Sequence, residues 1–428
     1  MQRLKKVLIV TYYWPPSAGS GVQRWLKFAK YLNLYGWEPV IFTPENPDFE
    51  LQDPGLLKEL PADLEVLKFP IWEPYALFRK LKKEKINDTA KILEKEKKKP
   101  LDRLAIWLRA NLLVPDPRVF WVKPSVEYLR QINEANKFEA IITTGPPHSM
   151  HLIGLELKRK TGIKWLADFR DPWSTWEFLD VLPMHRFVRN QHLKMEASVL
   201  KEADAVVTIS PTFQKEIEII ADREIKLITN GFDSTDLPSD FPAYSFVNDA
   251  FNIVYTGIID SIRNPLPFLL AFRATFEKLP IKVNLIFVGK VSDTVVDHIR
   301  YDAWLKNHVT LAGYVSHQEV FNYYAKANLL LLILTNTKNA KGNIPGKLFE
   351  YIATGRPIIA LGDPEGDTAK IINEAEAGHV FSHTDHKGME DFLLDSLQYI
   401  PAIKENGNVN PFERKYLTQK LAKLLDDL

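Results

Sequence analysis

The strongest constraint on the fold is a regular alternation of short apolar runs with longer amphipathic segments. The runs are rich in Val, Ile and Leu and have no polar side, which is typical of parallel strands buried on both faces. In the first half of the chain they predict strands at Val7–Thr11, Pro39–Thr43, Ala140–Thr144, Lys164–Phe169, Ala205–Ile209 and Ile225–Thr229. Helical patterns lie between several of these strands, so we predict the βα alternation of a doubly wound α/β sheet.

A second series of strands begins near residue 251. Its members are predicted at Asn252–Tyr255, Val283–Val288, Val309–Leu311, Leu329–Leu334, Pro357–Leu361 and His379–Phe381. Residues 233–243, between the two series, are rich in Pro, Ser and Asp and have no periodicity, as linkers do. Because 428 residues exceed one ordinary core, we predict two Rossmann-like domains, residues 1–238 and 239–410, facing a central cleft. Ligands are expected there, beyond the carboxyl ends of the strands.

Capping residues mark two helix starts. Ser210 followed by Pro211 has the hydroxyl and the proline that open a helix. Ser316 precedes Glu319 by three residues, which is the spacing of a capping box. We therefore predict one helix after each serine.

Composition excludes several function classes. The formal net charge is +1, which gives no basic footprint for nucleic acid, so no nucleic-acid partner is expected. The absence of cysteine excludes disulfides and thiolate metal sites and favours a reducing compartment. No signal-peptide pattern and no apolar stretch of roughly 20 residues is found, so a cytoplasmic location is expected.

One segment departs from this charge balance. Residues 79–99 contain ten Lys or Arg against four acidic residues, in a composition that permits a helix. One interpretation is a solvated helix face, as charge runs usually are. The other is a basic surface that meets anionic lipid headgroups or a lipid-phosphate acceptor. The second would place the protein peripherally at the inner face of the cell membrane.

The most informative local pattern is a polar, glycine-bearing loop that runs into a short helix over residues 342–360. Lys347 lies in the first turn and Glu350 follows three residues later, so both project from one helix face. A lysine at a helix N-terminus suits a diphosphate, and a carboxylate one turn on can accept hydrogen bonds from a ribose diol. The alternative is an exposed ion pair between the two, which would contribute little.

A second cation follows the first strand of the second domain. Arg263 lies in the loop after residues 252–257, at the carboxyl end of that strand. Arg and Lys around a leaving diphosphate can supply the charge that a metal ion would otherwise supply. No Asp-x-Asp cluster offers a magnesium site, so no metal and no cofactor is expected.

The first strand of the chain leads into a glycine-bearing turn. Gly19 and Gly21 lie between its end and a predicted helix, where backbone can approach a phosphate. A tight turn alone would also need glycine.

Polar residues follow two further strands of the first domain. His148 lies at a loop–helix junction and His151 one turn later, and either histidine could instead be structural. Asp168, Arg170 and Asp171 end another strand, which makes them candidates for acceptor recognition.

Taken together, these residues resemble the retaining GT-B glycosyltransferases of family four, many of which build bacterial capsule, O-antigen or exopolysaccharide. The resemblance covers nearly the whole chain and is most specific at residues 344–351. It also includes residues 10–21, 144–149, 168–173, 209–210, 229–231, 255–257 and 263–265. The resemblance implies a GT-B fold, with residues 411–428 forming a last helix that packs back on the first domain.

The same resemblance implies an activity and a set of site residues. A UDP- or GDP-linked sugar would be the donor, and a lipid-linked or other glycan hydroxyl would be the acceptor, as in surface polysaccharide synthesis. Transfer would be metal-independent and would retain the anomeric configuration. The implied catalytic residues are Arg263, Lys347 and His148. The implied donor-binding residues are Gly19, Gly21, Gly257, Arg263, Gly346, Lys347, Leu348 and Glu350, with the base near residues 313–316.

The chain departs from the family pattern at two positions. Many relatives have a glutamate where this chain has Gly342, and a lysine where it has Asn264. The first loss leaves the donor-sugar contacts to other residues of 339–346. Two alternatives therefore stay open: a nucleotide-sugar 2-epimerase on the same architecture, and a non-catalytic scaffold that keeps the fold.

Overall fold

The computed structural model describes residues 3–49, 52–73, 100–243, 250–260, 262–397 and 410–428. Two compact units are present: unit 1 contains Met1–Thr229 and Arg414–Leu428, and unit 2 contains Asn230–Glu413. The division falls at residue 229, whereas the linker composition places the boundary at residue 238. The basic segment 79–99 lies outside the described residues.

Unit 1 is built on a parallel sheet. The described residues give seven strands: β1 (Lys5–Val10), β2 (Trp37–Pro44), β3 (Glu65–Phe69), β4 (Ala140–Gly145), β5 (Lys164–Phe169), β6 (Ala205–Thr208) and β7 (Lys226–Leu227). Their order is β3-β2-β1-β4-β5-β6-β7. The order reverses direction between β1 and β4, and ligands of such sheets bind at that point.

Helices flank this sheet because its strands are apolar on both faces. Residues 7–10 of β1 are at most 1% exposed. The helices before the crossing to unit 2 are α1 (Ser20–Tyr31), α2 (Pro100–Leu112), α3 (Val119–Asn136), α4 (Ser149–Thr161), α5 (Glu177–Val181), α6 (Arg186–Glu202) and α7 (Pro211–Ala221).

Unit 2 repeats the design with six parallel strands in its described residues. They are β8 (Phe251–Thr256), β9 (Val283–Val288), β10 (Val309–Gly313), β11 (Leu329–Ile333), β12 (Ile358–Leu361) and β13 (Gly378–Phe381). Their order is β10-β9-β8-β11-β12-β13. The helices are α8 (Leu266–Phe276), α9 (Asp293–Tyr301), α10 (Leu305–His308), α11 (His317–Ala325), α12 (Lys347–Ala353), α13 (Asp367–Glu374) and α14 (His386–Asp395).

The last helix, α15 (Arg414–Asp426), belongs to unit 1. Its buried residues Leu417, Leu421 and Leu425 share a core cluster with Trp25 and Phe28 of α1. The leucines recur at four-residue spacing, which places them on one helix face. Unit 1 is therefore formed by two separate stretches of the chain, Met1–Thr229 and Arg414–Leu428. None of the helices in the described ranges is long and apolar enough to cross a membrane.

The two-sheet α/β prediction is confirmed, and every predicted strand is present. Both predicted caps are also confirmed: the Ser210 side chain accepts from the N–H of Phe213, and Ser316 and Glu319 form a reciprocal capping box. Strand β3 was missed because it is a partly exposed edge strand of mixed polarity, Glu65–Phe69, and not a continuous apolar run.

Candidate functional site

Lys347, the first residue of α12, lies against the carboxyl end of β8. Its Nζ donates a hydrogen bond to the backbone oxygen of Thr256 over 2.5 Å and lies 4.0 Å from the centre of the Tyr255 ring. Gly257 has φ near +116°, and a Cβ atom there would lie 2.7 Å from the same Nζ. Glycine is therefore needed here both for the backbone conformation and for the approach of the lysine.

Arg263 acts on Lys347 electrostatically and is oriented by Asp260. Its Nη1 donates to Asp260 Oδ2 over 2.6 Å, and its backbone N–H donates to Asp260 Oδ1 over 2.9 Å. Burial and the Arg263 cation lower the pKa of Lys347 from 10.5 to about 7, against the opposing effect of Glu350 and Asp260. An anion bound to both cations would relieve their repulsion, so the arrangement favours a phosphate group.

Glu350 lies one turn after Lys347 and faces different partners. Tyr324 donates its hydroxyl to Glu350 Oε2 over 3.2 Å, and His317 Nε2 lies 3.3 Å from Oε1. Within the described residues, no ion pair joins Lys347 to Glu350, because each is held by other groups. The carboxylate stays partly exposed, so it keeps capacity to accept hydrogen bonds from a bound molecule.

A buried hydroxyl network holds the end of β8 against α11 and α12. The Thr256 hydroxyl lies 3.0 Å from the Tyr324 hydroxyl and 3.1 Å from that of Tyr351. The Thr256 N–H donates to the Tyr351 hydroxyl over 3.0 Å, and that hydroxyl donates to Leu331 O on β11 over 3.2 Å. Satisfied networks of this kind rigidify their surroundings. The network therefore fixes the backbone that Lys347 contacts.

Three neighbouring strands of unit 2 reach glycines with positive φ at their carboxyl ends. Gly257, Gly289 and Gly313 have φ of +116°, +129° and +74°. The Gly257 N–H donates to Val288 O over 2.8 Å, and the Gly289 N–H donates to Gly313 O over 2.7 Å. A Cβ atom at Gly289 would lie 2.1 Å from Gly257 O. Gly289 was missed from the sequence, where only its position after an apolar run signals it.

The loop before α12 contains the remaining predicted donor residues. Gly342 is buried at the end of a short 3-10 turn, and Gly346 directly precedes α12. Thr368 donates its hydroxyl to Asn343 O over 2.8 Å, which ties the loop to α13. The Leu348 side chain is fully buried in the core of unit 2, so only its backbone could contact a ligand.

In unit 1, Gly21 makes room for a protein side chain. A Cβ atom there would lie 1.7 Å from Arg170 Nη1. Arg170 donates from Nη2 to Pro146 O and from its backbone N–H to Gly145 O. The close approach of Arg170 accounts for Gly21 without a phosphate. At Gly19, φ is +119° and a Cβ would meet no atom within 4 Å, so its backbone conformation is what requires glycine.

Asp168 is completely buried at the end of β5. It accepts hydrogen bonds from Arg24 Nη2, Trp25 Nε1 and Thr144 Oγ1, each over 2.9 Å. Arg24 is only 1% exposed, and removing one partner of such a buried pair typically costs about 3–5 kcal/mol. This geometry gives Asp168 a structural role. Asp171 is only partly exposed, and this partial burial raises the pKa of its carboxyl group.

The two histidines of unit 1 stack on aromatic rings. His148 lies parallel to Trp173 with ring centres 4.6 Å apart, and His151 lies parallel to Phe169 at 4.4 Å. Burial lowers the pKa of His151 to about 3 and puts that of His148 well below its usual value. His151 Nδ1 lies 2.9 Å from the Thr143 hydroxyl, whereas neither ring nitrogen of His148 has a partner among the described residues.

His148 also lines a cavity of about 200 Å³ within unit 1. The cavity walls come from Tyr13, the end of α2 with Arg109 and the segment after it, the β4–α4 loop, the stretch from Trp173 to Met184, and His192. This cavity was missed from the sequence because its walls lie far apart along the chain. Across the described residues, no group of three or more His, Asp or Glu is arranged to hold a metal ion.

The second half of the chain matches a known protein family. Residues 250–398, which lie in unit 2, match the family model of glycosyl transferases group 1. The matched residues include the Lys347, Arg263 and Glu350 cluster. Comparison with curated protein sequences finds no match.

Solved structures are similar over both units. A glycosyltransferase from Rickettsia africae has a TM-score of 0.64 at 14% identity, covering 99% of this chain and 98% of that one. Anabaena HepE in complex with UDP has a TM-score of 0.63 at 12% identity, with 99% and 100% covered. The apo lipopolysaccharide outer core galactosyltransferase WaaB has a TM-score of 0.59 at 12% identity, also with 99% and 100% covered. These similarities show the GT-B fold.

Proposed function

We propose that this protein is a glycosyltransferase that moves a sugar from a nucleoside-diphosphate sugar to a hydroxyl acceptor. The observation that carries the proposal is the grouping of Lys347 and Arg263 beside Gly257, with Glu350 one turn further along α12. Two cations suit the diphosphate, and the partly exposed carboxylate suits the ribose hydroxyls. The UDP in the HepE structure favours a UDP-linked donor.

The residues of this site support transfer with retention and without a metal. Lys347 and Arg263 would neutralise the charge that develops on the leaving diphosphate, which is the main electrostatic requirement of the step. The acceptor hydroxyl would attack the face that the diphosphate leaves, and a donor phosphate oxygen would take its proton. The bond from sugar to diphosphate breaks as the bond to the acceptor oxygen forms, so no protein nucleophile is needed.

We propose a lipid-linked glycan as the acceptor, met at a membrane surface. The resemblance of the fold to WaaB, a lipopolysaccharide outer core galactosyltransferase, favours a surface glycan. Unit 1 exposes Trp72 and Phe120, whose rings pack edge to face 5.1 Å apart. Helix α2 exposes Leu104 and Leu112 and directly follows the basic segment 79–99 in sequence. Exposed aromatic side chains and a basic segment that follows Trp72 in sequence are the composition that suits an anionic interface.

Substitution of Lys347 tests the donor site. Lys347→Ala removes one of the two cations, so we expect UDP and UDP-sugar binding, measured by calorimetry, to weaken about tenfold or more. Lys306→Ala, at an exposed lysine of the same unit, serves as the matched control and should bind as the wild type does. Unchanged nucleotide binding in Lys347→Ala would contradict the assignment of this site.

Product analysis separates the proposal from its alternatives. Incubation with UDP- and GDP-sugars and lipid-linked acceptors should give a glycosylated lipid with the donor's anomeric configuration. Conversion of the donor sugar to its 2-epimer without transfer would identify an epimerase. Nucleotide binding without turnover of any donor would identify a scaffold.

A further inference from the structure

His317, the first residue of α11, reaches the Glu350 carboxylate from the neighbouring helix. Its Nε2 lies 3.3 Å from Glu350 Oε1, and both side chains are partly exposed. An ionised carboxylate only accepts hydrogen bonds, so the proton in this contact belongs to His317 Nε2. The imidazole can therefore donate to Glu350 whether the ring is neutral or charged.

The His317 ring is held by its own helix. The backbone before it is fixed by the capping box, in which the Ser316 N–H donates to Glu319 Oε2 over 2.9 Å. The ring itself meets Phe321 edge to face, with 5.5 Å between the ring centres. Phe321 is a buried member of the unit 2 core. A side chain fixed in this way loses little freedom when a ligand binds next to it.

Tyr324 contacts the other oxygen of the same carboxylate. His317, Phe321 and Tyr324 follow one another at spacings of four and three residues, so they share one face of α11. The Tyr324 hydroxyl donates to Glu350 Oε2 over 3.2 Å. Burial and the nearby Glu350 carboxylate raise the pKa of Tyr324 well above its usual value, so the hydroxyl keeps its proton. Each carboxylate oxygen thus receives one donor from α11.

Two acceptor sites remain on Glu350. Each carboxylate oxygen has two lone pairs, so one donor on each oxygen leaves one free lone pair on each. A vicinal diol can fill both with its two hydroxyls, whereas a ring with a single hydroxyl fills one. The terminal torsion of a glutamate is soft. Without His317, one donor alone would hold the carboxylate, and the two remaining sites would not stay in one orientation.

The alternative is that the contact between His317 and Glu350 only stabilises unit 2. Partly exposed ion pairs contribute little to stability. A purely stabilising contact would affect folding and would change the binding of every nucleotide to the same extent. A contact that positions the carboxylate would change only the recognition of the ribose hydroxyls.

We propose that His317 is a positioning residue of the nucleotide site, which holds Glu350 so that its carboxylate accepts both ribose hydroxyls. The inference rests on the proposed glycosyltransferase function. It makes a ribonucleoside diphosphate sugar the preferred donor over its 2′-deoxy counterpart, and it assigns this preference to two residues of α11 acting through Glu350.

Calorimetry with UDP and 2′-deoxy-UDP tests the role of His317, because the two probes share the base and the diphosphate. We expect the wild type to bind UDP about tenfold more tightly than 2′-deoxy-UDP. His317→Ala should weaken UDP binding about fivefold to tenfold and leave 2′-deoxy-UDP binding within about twofold. His317→Gln should restore much of the preference, because its amide nitrogen can donate from a similar position.

His386→Ala is the matched control. His386 is likewise the first residue of a capped helix in unit 2, α14, and it is exposed. This variant should bind both nucleotides as the wild type does, and circular dichroism should show that all variants stay folded. Glu350→Gln should lose the preference by itself. Adding His317→Ala to it should cause little further loss, because His317 acts through Glu350.

The dependence of binding on Lys347 separates this inference from the proposed function. Suppose that UDP binding depends on Lys347, but folded His317→Ala keeps the full preference for UDP or loses affinity for both nucleotides equally. Either result would overturn the inference and leave the proposed function standing, as would a wild type without any preference. Absence of Lys347-dependent nucleotide binding would overturn the proposed function, and this inference with it.

Discussion

At the scale of single residues, Lys347 carries most of the argument for the donor site. Its ammonium group lies against Thr256 O and the Tyr255 ring, and its pKa of about 7 reflects burial and the nearby Arg263 cation. A bound diphosphate favours the charged form and raises that pKa again. Proton uptake should therefore accompany donor binding.

The pH dependence of donor binding follows from the sign of this shift. Below pH 7 Lys347 is charged before the donor arrives, and above pH 7 binding must first protonate it. We expect the affinity for UDP-glucose, whose diphosphate charge is constant over this range, to fall progressively from pH 6 to pH 9. Calorimetry in buffers of different ionisation enthalpy should detect proton uptake near pH 8. Lys347→Met should lose both effects, and an unchanged pH profile in that variant would contradict the prediction.

Local sequence patterns indicated where the candidate donor residues lie better than they indicated the surroundings of the candidates in unit 1. Lys347 and Glu350 share one short helix, which their spacing indicated, and Arg263 follows the carboxyl end of β8, which the strand pattern indicated. The environment of Asp168 could not be predicted in this way. Its partners Arg24 and Trp25 come from α1, more than 140 positions away in sequence, and only tertiary packing brings them to the same carboxylate.

At the scale of elements, the close approach of β8, β9 and β10 depends on glycines at their carboxyl ends. In Gly289→Ala the new Cβ would meet Gly257 O at 2.1 Å, and the backbone has φ of +129°. We expect the free energy of unfolding to fall by about 1–3 kcal/mol from backbone strain, with a further loss from the clash. UDP affinity should also fall, because the clash would displace Gly257, the residue beside Lys347 Nζ. Urea denaturation and calorimetry measure the two effects.

Gly36→Ala separates strain from clash. Gly36 also has positive φ, +86°, but a Cβ there would meet no atom within 4 Å. The Gly36→Ala variant should lose stability only through backbone strain, and its UDP binding should be unchanged. Equal effects of both substitutions on UDP binding would contradict the role given to the approach of Gly289 to Gly257.

The strands that were predicted and the strand that was missed differ in how continuously apolar their sequences are. Strands with two buried faces, such as β1 and β11, have continuous apolar sequences and were recognised from these alone. Strand β3 lies at the edge of its sheet, and its charged residues Glu65 and Lys68 interrupt the apolar run. Edge position alone does not hide a strand, because β10 is also an exposed edge strand and was predicted from its apolar Val309 and Leu311.

At the scale of the whole molecule, the proposed membrane contact predicts that the protein binds to lipid vesicles. The double variant Trp72→Ala/Phe120→Ala removes two exposed aromatic side chains, so binding to vesicles with anionic phosphatidylglycerol should weaken about tenfold or more. Vesicle flotation measures this binding. Raised salt should weaken the vesicle binding of the wild-type protein as well, because the attraction is partly electrostatic.

Tyr301→Ala, at an exposed aromatic residue of unit 2, is the control and should float as the wild type does. Equal flotation of the double variant and the wild type would contradict the assignment of this surface.

The position of α15 in the core of unit 1 sets an order of folding during synthesis. Unit 2 occupies one unbroken stretch, Asn230–Glu413, and can fold as it leaves the ribosome. Unit 1 begins earlier but lacks the leucines that cover Trp25 and Phe28 until α15 has been made. At roughly 5–20 residues per second, synthesis of the chain from Thr229 to the end of α15 takes on the order of ten to forty seconds. During that time the apolar side of α1 lacks the leucines that cover it in the folded protein.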